Sequence, residues 1–285
     1  THLPDVTVVS PVFVTGDAPA FFVASRGHHG DIGGMTPGSM PAHSTHIGEE
    51  GVLLRDFHLV SQGLLREDAV RAAMAEVRNI EQTLGDLRAQ VAANAAGATE
   101  LIALAEEVGM PTVLRYMGYV RENAAESVRR LIDRLQPGRF RCELDDGCAI
   151  EVEVRIDVAA RRATLDFTGT SPQQAGNVNA PRAVVTAVVL YVFRTLTGED
   201  IPLNSGCLDP LEIVIPDDCM LNPKAPAAVV AGNVETSQVI CDAILGAVGA
   251  QAGSQGTMNN LTFGNNRHQY YETLCGGAGA GPGFD

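Results

Sequence analysis

Positive charge is scarce in this 285-residue chain: 20 Lys and Arg stand against 34 Asp and Glu, a formal charge of -14. Nucleic acid and anionic membranes are gripped by clustered cations, so neither is expected as a partner. Missing too is any apolar run near the roughly 20 residues that cross a bilayer, and no basic stretch leads into an apolar one at the start. The six cysteines, at 142, 148, 207, 219, 241 and 275, show no CxxC spacing. That argues against a zinc ribbon or a disulfide framework and for reduced thiols in a cytoplasmic protein. Neither GxxxxGKS/T nor GxSxG occurs; GGAGAG at 276–281 has no lysine, so no nucleotide site is assigned to this chain, and Cys275 beside it reads as packing. The chain opens in THLPD without a methionine and stops in GGAGAGPGFD, which suggests a piece of a longer polypeptide.

The patterns that are there predict an α+β fold with mixed and antiparallel sheets and an insert of long helices. In residues 1–65, TVVSPVFV (7–14) and AFFVAS (20–25) are β-branched and aromatic around a Gly-Asp turn, and VLLRDFHLV (52–60) returns to a strand-like pattern. Between them, 27–51 is dense in Gly, Pro, His and Ser, an irregular length that compact domains keep chiefly for function. Residues 66–136 carry helical spacing over 67–94 and 99–136, broken at Gly97 and at Gly109-Met-Pro111. Residues 137–285 begin with an antiparallel meander (RFRCELDD, AIEVEVRID, RATLDFTG). A helix over 181–196, a strand LEIVIP, a helix over 234–252 and a strand-like NNLTFGN follow.

Three constellations carry chemistry. His2 and Asp5 flank Pro4, which forces an extended approach to the first strand, and a hairpin of 7–14 with 20–25 would return His28 and His29 to their side. Imidazoles with a carboxylate suit Zn, Mn or Fe; a turn of satisfied polar residues explains the same spacing. Glu50, closing the loop after Glu49, fits a general base or a group orienting a histidine, and equally a solvated pair. Asp86, Gln90 and Asn94 fall on one helix face, bordering either a cavity or solvent. Amide-rich turns place Asn179, Asn204, Asn233, Gln238, Asn259 and Asn260 where uncharged donors and acceptors would suit a cyclic amide or a ring carboxylate, or would simply stabilise the turns.

Taken together, THLPDVTVVSPVF, ASRGHHGDIGGMTPGSMPAHST, DLRAQVAAN, GNVNAPRAV, IPLNSGCLDPLEIVIP, AAVVAGNVETSQ, SQGTMNNLTFGN and YYETLCGGAGAGP resemble the hydantoinase B/oxoprolinase family. Within it they are most similar to the C-terminal half of ATP-hydrolysing oxoprolinases, and the likeness runs from residue 1 to residue 285. The resemblance implies a module, truncated at both ends, that hydrolyses a cyclic amide, 5-oxoproline to L-glutamate, while a hydantoinase A-like part outside this chain binds ATP and Mg. It also implies a divalent metal held by His2, Asp5 and His28, with His29 a rival one residue away. Beside such a site Asp31 or Glu50 is the expected proton acceptor. Relatives that open N-methylhydantoin or lactams, or carboxylate ketones, offer alternatives, as does a non-catalytic structural half. A homo-oligomer is expected.

Overall fold

A computed structural model describes residues 2–265 and 267–281. The first two strands, β1 (Asp5–Val12) and β2 (Phe21–His28), pair antiparallel in a register that sets Val12 against Phe21 and Asp5 against His28. The hairpin lies on helix α2 (Ile80–Val108), which reaches into its ladder with two amides. Gln90 Nε2 donates to the carbonyls of Val6 and Ser25, at 2.9 and 3.1 Å, and Asn94 Nδ2 donates to Val8 O and Ser10 Oγ, at 3.0 and 3.1 Å. The spacing of four puts both on one helix face, so a single helix pins both strands.

Helix α2 runs unbroken through Gly97, where the sequence predicts a stop. A mid-helix glycine costs about 1 kcal/mol, and packing of the helix on the hairpin outweighs it; a Cβ at Gly97 would meet Val23 at 3.6 Å, an ordinary contact, so the approach itself does not require glycine. The interruption falls earlier instead, between α1 (Glu67–Ala73) and α2, where Asn79 caps the new helix by accepting from Gln82 N. Gly109, with φ 82, does separate α2 from α3 (Met110–Ile132), as its sequence suggests. The expected strand over 52–60 is also corrected. Only Val60–Ser61 (β3) pairs, with Leu64–Leu65 (β4). Val52, Leu54, Phe57 and Leu59 bury their alternating apolar side chains against a cluster containing Val8, Met74 and Leu84, a pattern met by packing alone.

The meander forms as read: β5 (Gly138–Glu143), β6 (Ala149–Asp157) and β7 (Arg162–Asp166) are antiparallel neighbours. Helix α4 (Arg182–Leu196) then crosses over to β8 (Leu211–Val214), which joins β7 in parallel, so the four-stranded sheet is mixed. Helix α5 (Ser237–Ala247) is shorter than its apolar pattern, and a π-helical turn, Gly232–Thr236, precedes it. Helices α4 and α5 pack on each other and α5 on the sheet, around the fully buried Phe167, Phe193, Leu165 and Ile240. The last hairpin, β9 (Asn260–Gly264) with β10 (Gln269–Thr273), folds back against the turn at Pro37–Ser39; its second strand is absent from the sequence reading. No helix among the described residues is long and apolar enough to span a membrane.

Candidate metal centre

Pro4 supplies the geometry of the site. Its carbonyl accepts from Val6 N and His29 N, at 3.0 and 2.8 Å, and Asp5 N closes a turn onto His2 O. His2 is thereby folded back over Asp5, while the strand register delivers His28 from the other side. His2 Nδ1 lies 3.0 Å from Asp5 Oδ2 and His28 Nδ1 lies 3.3 Å from Asp5 Oδ1, with the two imidazoles 5.0 Å apart. One donor atom from each residue falls within 4.8 Å of the others, and His2 is buried whereas the His28 side chain is 40% exposed. Burial pushes the Asp5 carboxyl up, but hydrogen bonds from both imidazoles and their charge outweigh it and hold Asp5 well below the usual carboxylate range.

The strand period separates His28 from His29. Successive side chains leave a strand in opposite directions, so with His28 on the cluster side His29 points at the helix. Its Nε2 bonds Gln90 Oε1 at 3.0 Å and its Nδ1 sits 4.0 Å from Asp86 Oδ2 without a hydrogen bond. Gln90 has spent its amide protons on two carbonyls, so its Oε1 accepts and His29 Nε2 carries the hydrogen. The structure thus sets His29 apart from the trio and turns the stripe of Asp86, Gln90 and Asn94 toward the hairpin and His29 rather than toward a ligand cavity.

The two acids of the loop differ sharply. Asp31 uses both oxygens structurally: Oδ1 accepts from Gly33 N and Arg78 N, and Oδ2 from Gly38 N and, at 2.7 Å, Arg78 Nη1. Both Asp31 oxygens are thereby engaged by the loop and by Arg78. Glu50 is 0% exposed; its Oε1 accepts from Ser44 Oγ, Val229 N and Val230 N at 2.8 to 3.0 Å, and its Oε2 has no partner. Burial pushes the Glu50 carboxyl up, partly offset by these donors and by the charge of His2. Gly34, with φ 81, makes the approach possible, since a Cβ there would stand 2.6 Å from Glu49 O. Glu49 itself accepts from Thr45 N and His46 N and caps a turn.

Of the amide candidates, Asn179 is buried and bound to Gln174 O, Gly176 O and Ala228 O, and Asn204 caps the turn at Ser205–Leu208. In both, the amide group is engaged by backbone. Asn259 accepts from Gln255. The half-buried side chains of Asn233 and Gln238 make no hydrogen bond to described residues, and Asn260 Nδ2 is buried without one. Sequence reasoning misses Tyr271, whose ring lies 5.7 Å from that of His28; the YYET alternation after NNLTFG is the hairpin signal that would have found it. A cleft of about 860 Å³ begins at His2 and Asp5 and runs between walls that include Val8, Leu54, Phe57 and Met74.

A fold of this kind, with a His-Asp-His cluster at the mouth of a strand pair, matches the family model for hydantoinase B/oxoprolinase over residues 1–285, and the chain belongs to that family. It is 45% identical over 311 aligned positions to 5-oxoprolinase 1 of Arabidopsis thaliana, covering 99% of this chain and 24% of that protein. The chain therefore spans about a quarter of the length of such relatives. Two solved structures share its fold: an ATP-dependent caprolactamase from Pseudomonas jessenii (TM-score 0.81, 22% identity, 99% of this chain and 54% of that one) and a nucleotide-free acetone carboxylase (TM-score 0.82, 18% identity, 98% and 42%).

Proposed function

We propose that this chain is the ring-opening module of a cytoplasmic, ATP-dependent cyclic amide hydrolase that converts 5-oxoproline to L-glutamate. ATP and Mg are held by a hydantoinase A-like part elsewhere in the same polypeptide or in a second subunit. The reading rests chiefly on the juxtaposition of His2, Asp5 and His28 in a chain of the hydantoinase B/oxoprolinase family. The 45% identity to a protein named 5-oxoprolinase favours that substrate over caprolactam or a ketone, which enter only through structures at 22% and 18% identity.

An unactivated lactam resists water because amide resonance lowers the electrophilicity of its carbonyl carbon. Phosphorylation of the carbonyl oxygen, at the expense of ATP, leaves that carbon open to attack. Water adds, the carbon–nitrogen bond breaks with nitrogen taking up a proton, and a second water cleaves the acyl phosphate to carboxylate and phosphate. His2, Asp5 and His28 are the groups to hold a divalent cation, Zn, Mn or Fe by their donor chemistry. Such an ion supplies Lewis acidity toward oxygen. Glu50, a buried carboxylate with one unpartnered oxygen and a carboxyl pushed up by burial, is the group assigned to take the proton from water. Asn233 and Gln238, with uncommitted amides, contact the ring.

The test is co-expression with the ATP-binding part and an assay of ATP-dependent glutamate release from 5-oxoproline, alongside metal content of wild type and His2→Ala. Glutamate and phosphate in equal amounts, with metal lost in the variant, is the expected result. Phosphate without ring opening would sink the substrate assignment, and equal metal content in both proteins would sink the ligand set.

A further inference from the structure

Strand β1 is paired along one edge alone. Among the described residues it joins β2 in a two-stranded sheet, and no strand lies on its other side. Two bonds show which groups face which edge: Pro4 O accepts from His29 N, and Val12 O accepts from Ala20 N. Even-numbered residues of β1 therefore turn their backbone N–H and C=O groups toward β2, while Asp5, Thr7 and Val9 turn theirs outward. Of these outward groups only Asp5 N has a backbone partner among the described residues, His2 O at 3.2 Å.

The cleft of about 860 Å³ runs along this open edge. Its lining takes in every residue of β1 from Asp5 to Pro11 and none of β2, whereas a cleft on one face of a strand would meet only every second residue. The far wall is apolar, with Val52, Leu54, Phe57 and Leu59. Strand residues 5 to 11 span about 20 Å, so the mean section of the cleft is about 43 Å². One strand of a packed sheet occupies about 4.8 by 10 Å, and a helix is about 10 Å across in both directions. The space fits a strand.

We infer that a strand from the polypeptide outside these 285 residues lies in the cleft and pairs with Thr7 and Val9, making β1 the middle of three strands. The occupant is the stretch that leads into His2. This chain spans about a quarter of the length of its relatives, so polypeptide to fill the cleft is at hand. Two features direct that stretch here. His2 and Leu3 line the cleft, and the bond from Asp5 N to His2 O closes a turn on the outward edge, which sends the incoming chain back along β1, antiparallel. Pro11 sets the limit: at the next outward position it has no N–H to give, and proline suits a sheet edge rather than a central ladder, so the added strand ends by Val9. The pairing is of backbone alone, and it does not depend on the ring-opening reading.

The experiment uses the full-length polypeptide and reads amide hydrogen exchange residue by residue, with the exposed Gly16 of the hairpin turn as reference. Thr7 and Val9 should show protection factors at least about a hundredfold above that of Gly16, at every protein concentration and with no ring compound added. Protection no greater than that of Gly16 overturns the inference. Protection that appears only with 5-oxoproline makes the cleft a ligand site, and protection that fades on dilution assigns the strand to a second molecule; either result overturns it as well. Val9→Pro removes one outward donor, and Pro11, opposite Phe22, shows that proline at this parity leaves the pairing to β2 intact. In that variant Thr7 should exchange at least about tenfold faster, while Val8 and Ser25, opposite each other in the β1–β2 ladder, stay slow. Thr7 unmoved in that variant would mean that something other than a ladder covers the edge, which rejects the strand. Should Val9→Pro fail to fold, the wild-type protection factors decide.

Discussion

The sandwich of β5–β8 with α4 and α5 and the loop from His29 to Glu50 are both buried, but they are finished differently. Among the described residues, four buried side-chain atoms lack a hydrogen bond: His29 Nδ1, Thr36 Oγ1, Glu50 Oε2 and Asn260 Nδ2. Three lie in the loop, the fourth faces it from β9, and none lies between 138 and 247. In the sandwich the large buried side chains meet apolar neighbours, and polar groups such as Glu151, bridged to Arg139, are answered. Burial there contributes stability. In the loop burial leaves groups unanswered at a cost of about 1–3 kcal/mol each, which is the expected signature of a surface reserved for something else.

That contrast can be broken from either side. Phe167→Ala should give the largest effect, about 3–5 kcal/mol lost in urea unfolding, because it empties a fully enclosed site; a loss under 1 kcal/mol would mean the sandwich is not the stabilising half. Glu50→Gln should lower turnover by about a hundredfold while metal content stays at the wild-type level. Its stability profile sharpens the point. The folded carboxyl titrates above its unfolded counterpart, so its favourable contribution is complete below the unfolded pKa, about 4.3, and is lost as pH rises through the folded value. Urea midpoints between pH 4 and 8 should fall less in Glu50→Gln than in wild type.

Asp5 works with the opposite sign. Its folded pKa is depressed, so in metal-free protein its contribution is present above about pH 4 and drains away as pH falls. Asp5→Asn should abolish metal uptake and flatten that acid limb, read by unfolding midpoints at pH 3 to 6. The smallest effect belongs to the exposed pair of Arg88 and Glu67: Glu67→Ala should change stability by about 0.5 kcal/mol or less.

Much of this was legible beforehand where local chemistry decides the outcome. The Gly-Asp turn between two β-branched runs gives the first hairpin, Gly109-Met-Pro111 separates two helices, and the return of the strands brings His28 and His29 back toward His2 and Asp5 without choosing between them. What stayed hidden depends on partners distant in sequence. The polar stripe of Gln90 and Asn94 is visible as a helix face, but only the tertiary packing says that this face meets strand carbonyls. Asp31 is braced by Arg78, 47 residues on, which no local pattern announces. Glu50 owes its environment to Val229 and Val230, about 180 residues away. The apolar alternation of 52–60 skips a step between Leu54 and Phe57, where Asp56 turns the chain with φ 47, so no continuous strand forms.

The placement of the cluster at the open end of β1–β2 bears on how this hairpin can vary. Eight paired residues hold the tight end, 13–20, roughly 25 Å away, so an insertion or a tag grafted at Thr15 or Gly16 would be invisible to the ligands. A single residue added inside either strand would instead shift the rungs beyond it and present Gly27 or His29 to Asp5. Evolution or an engineer has free ground at one end of this ribbon and none at the other.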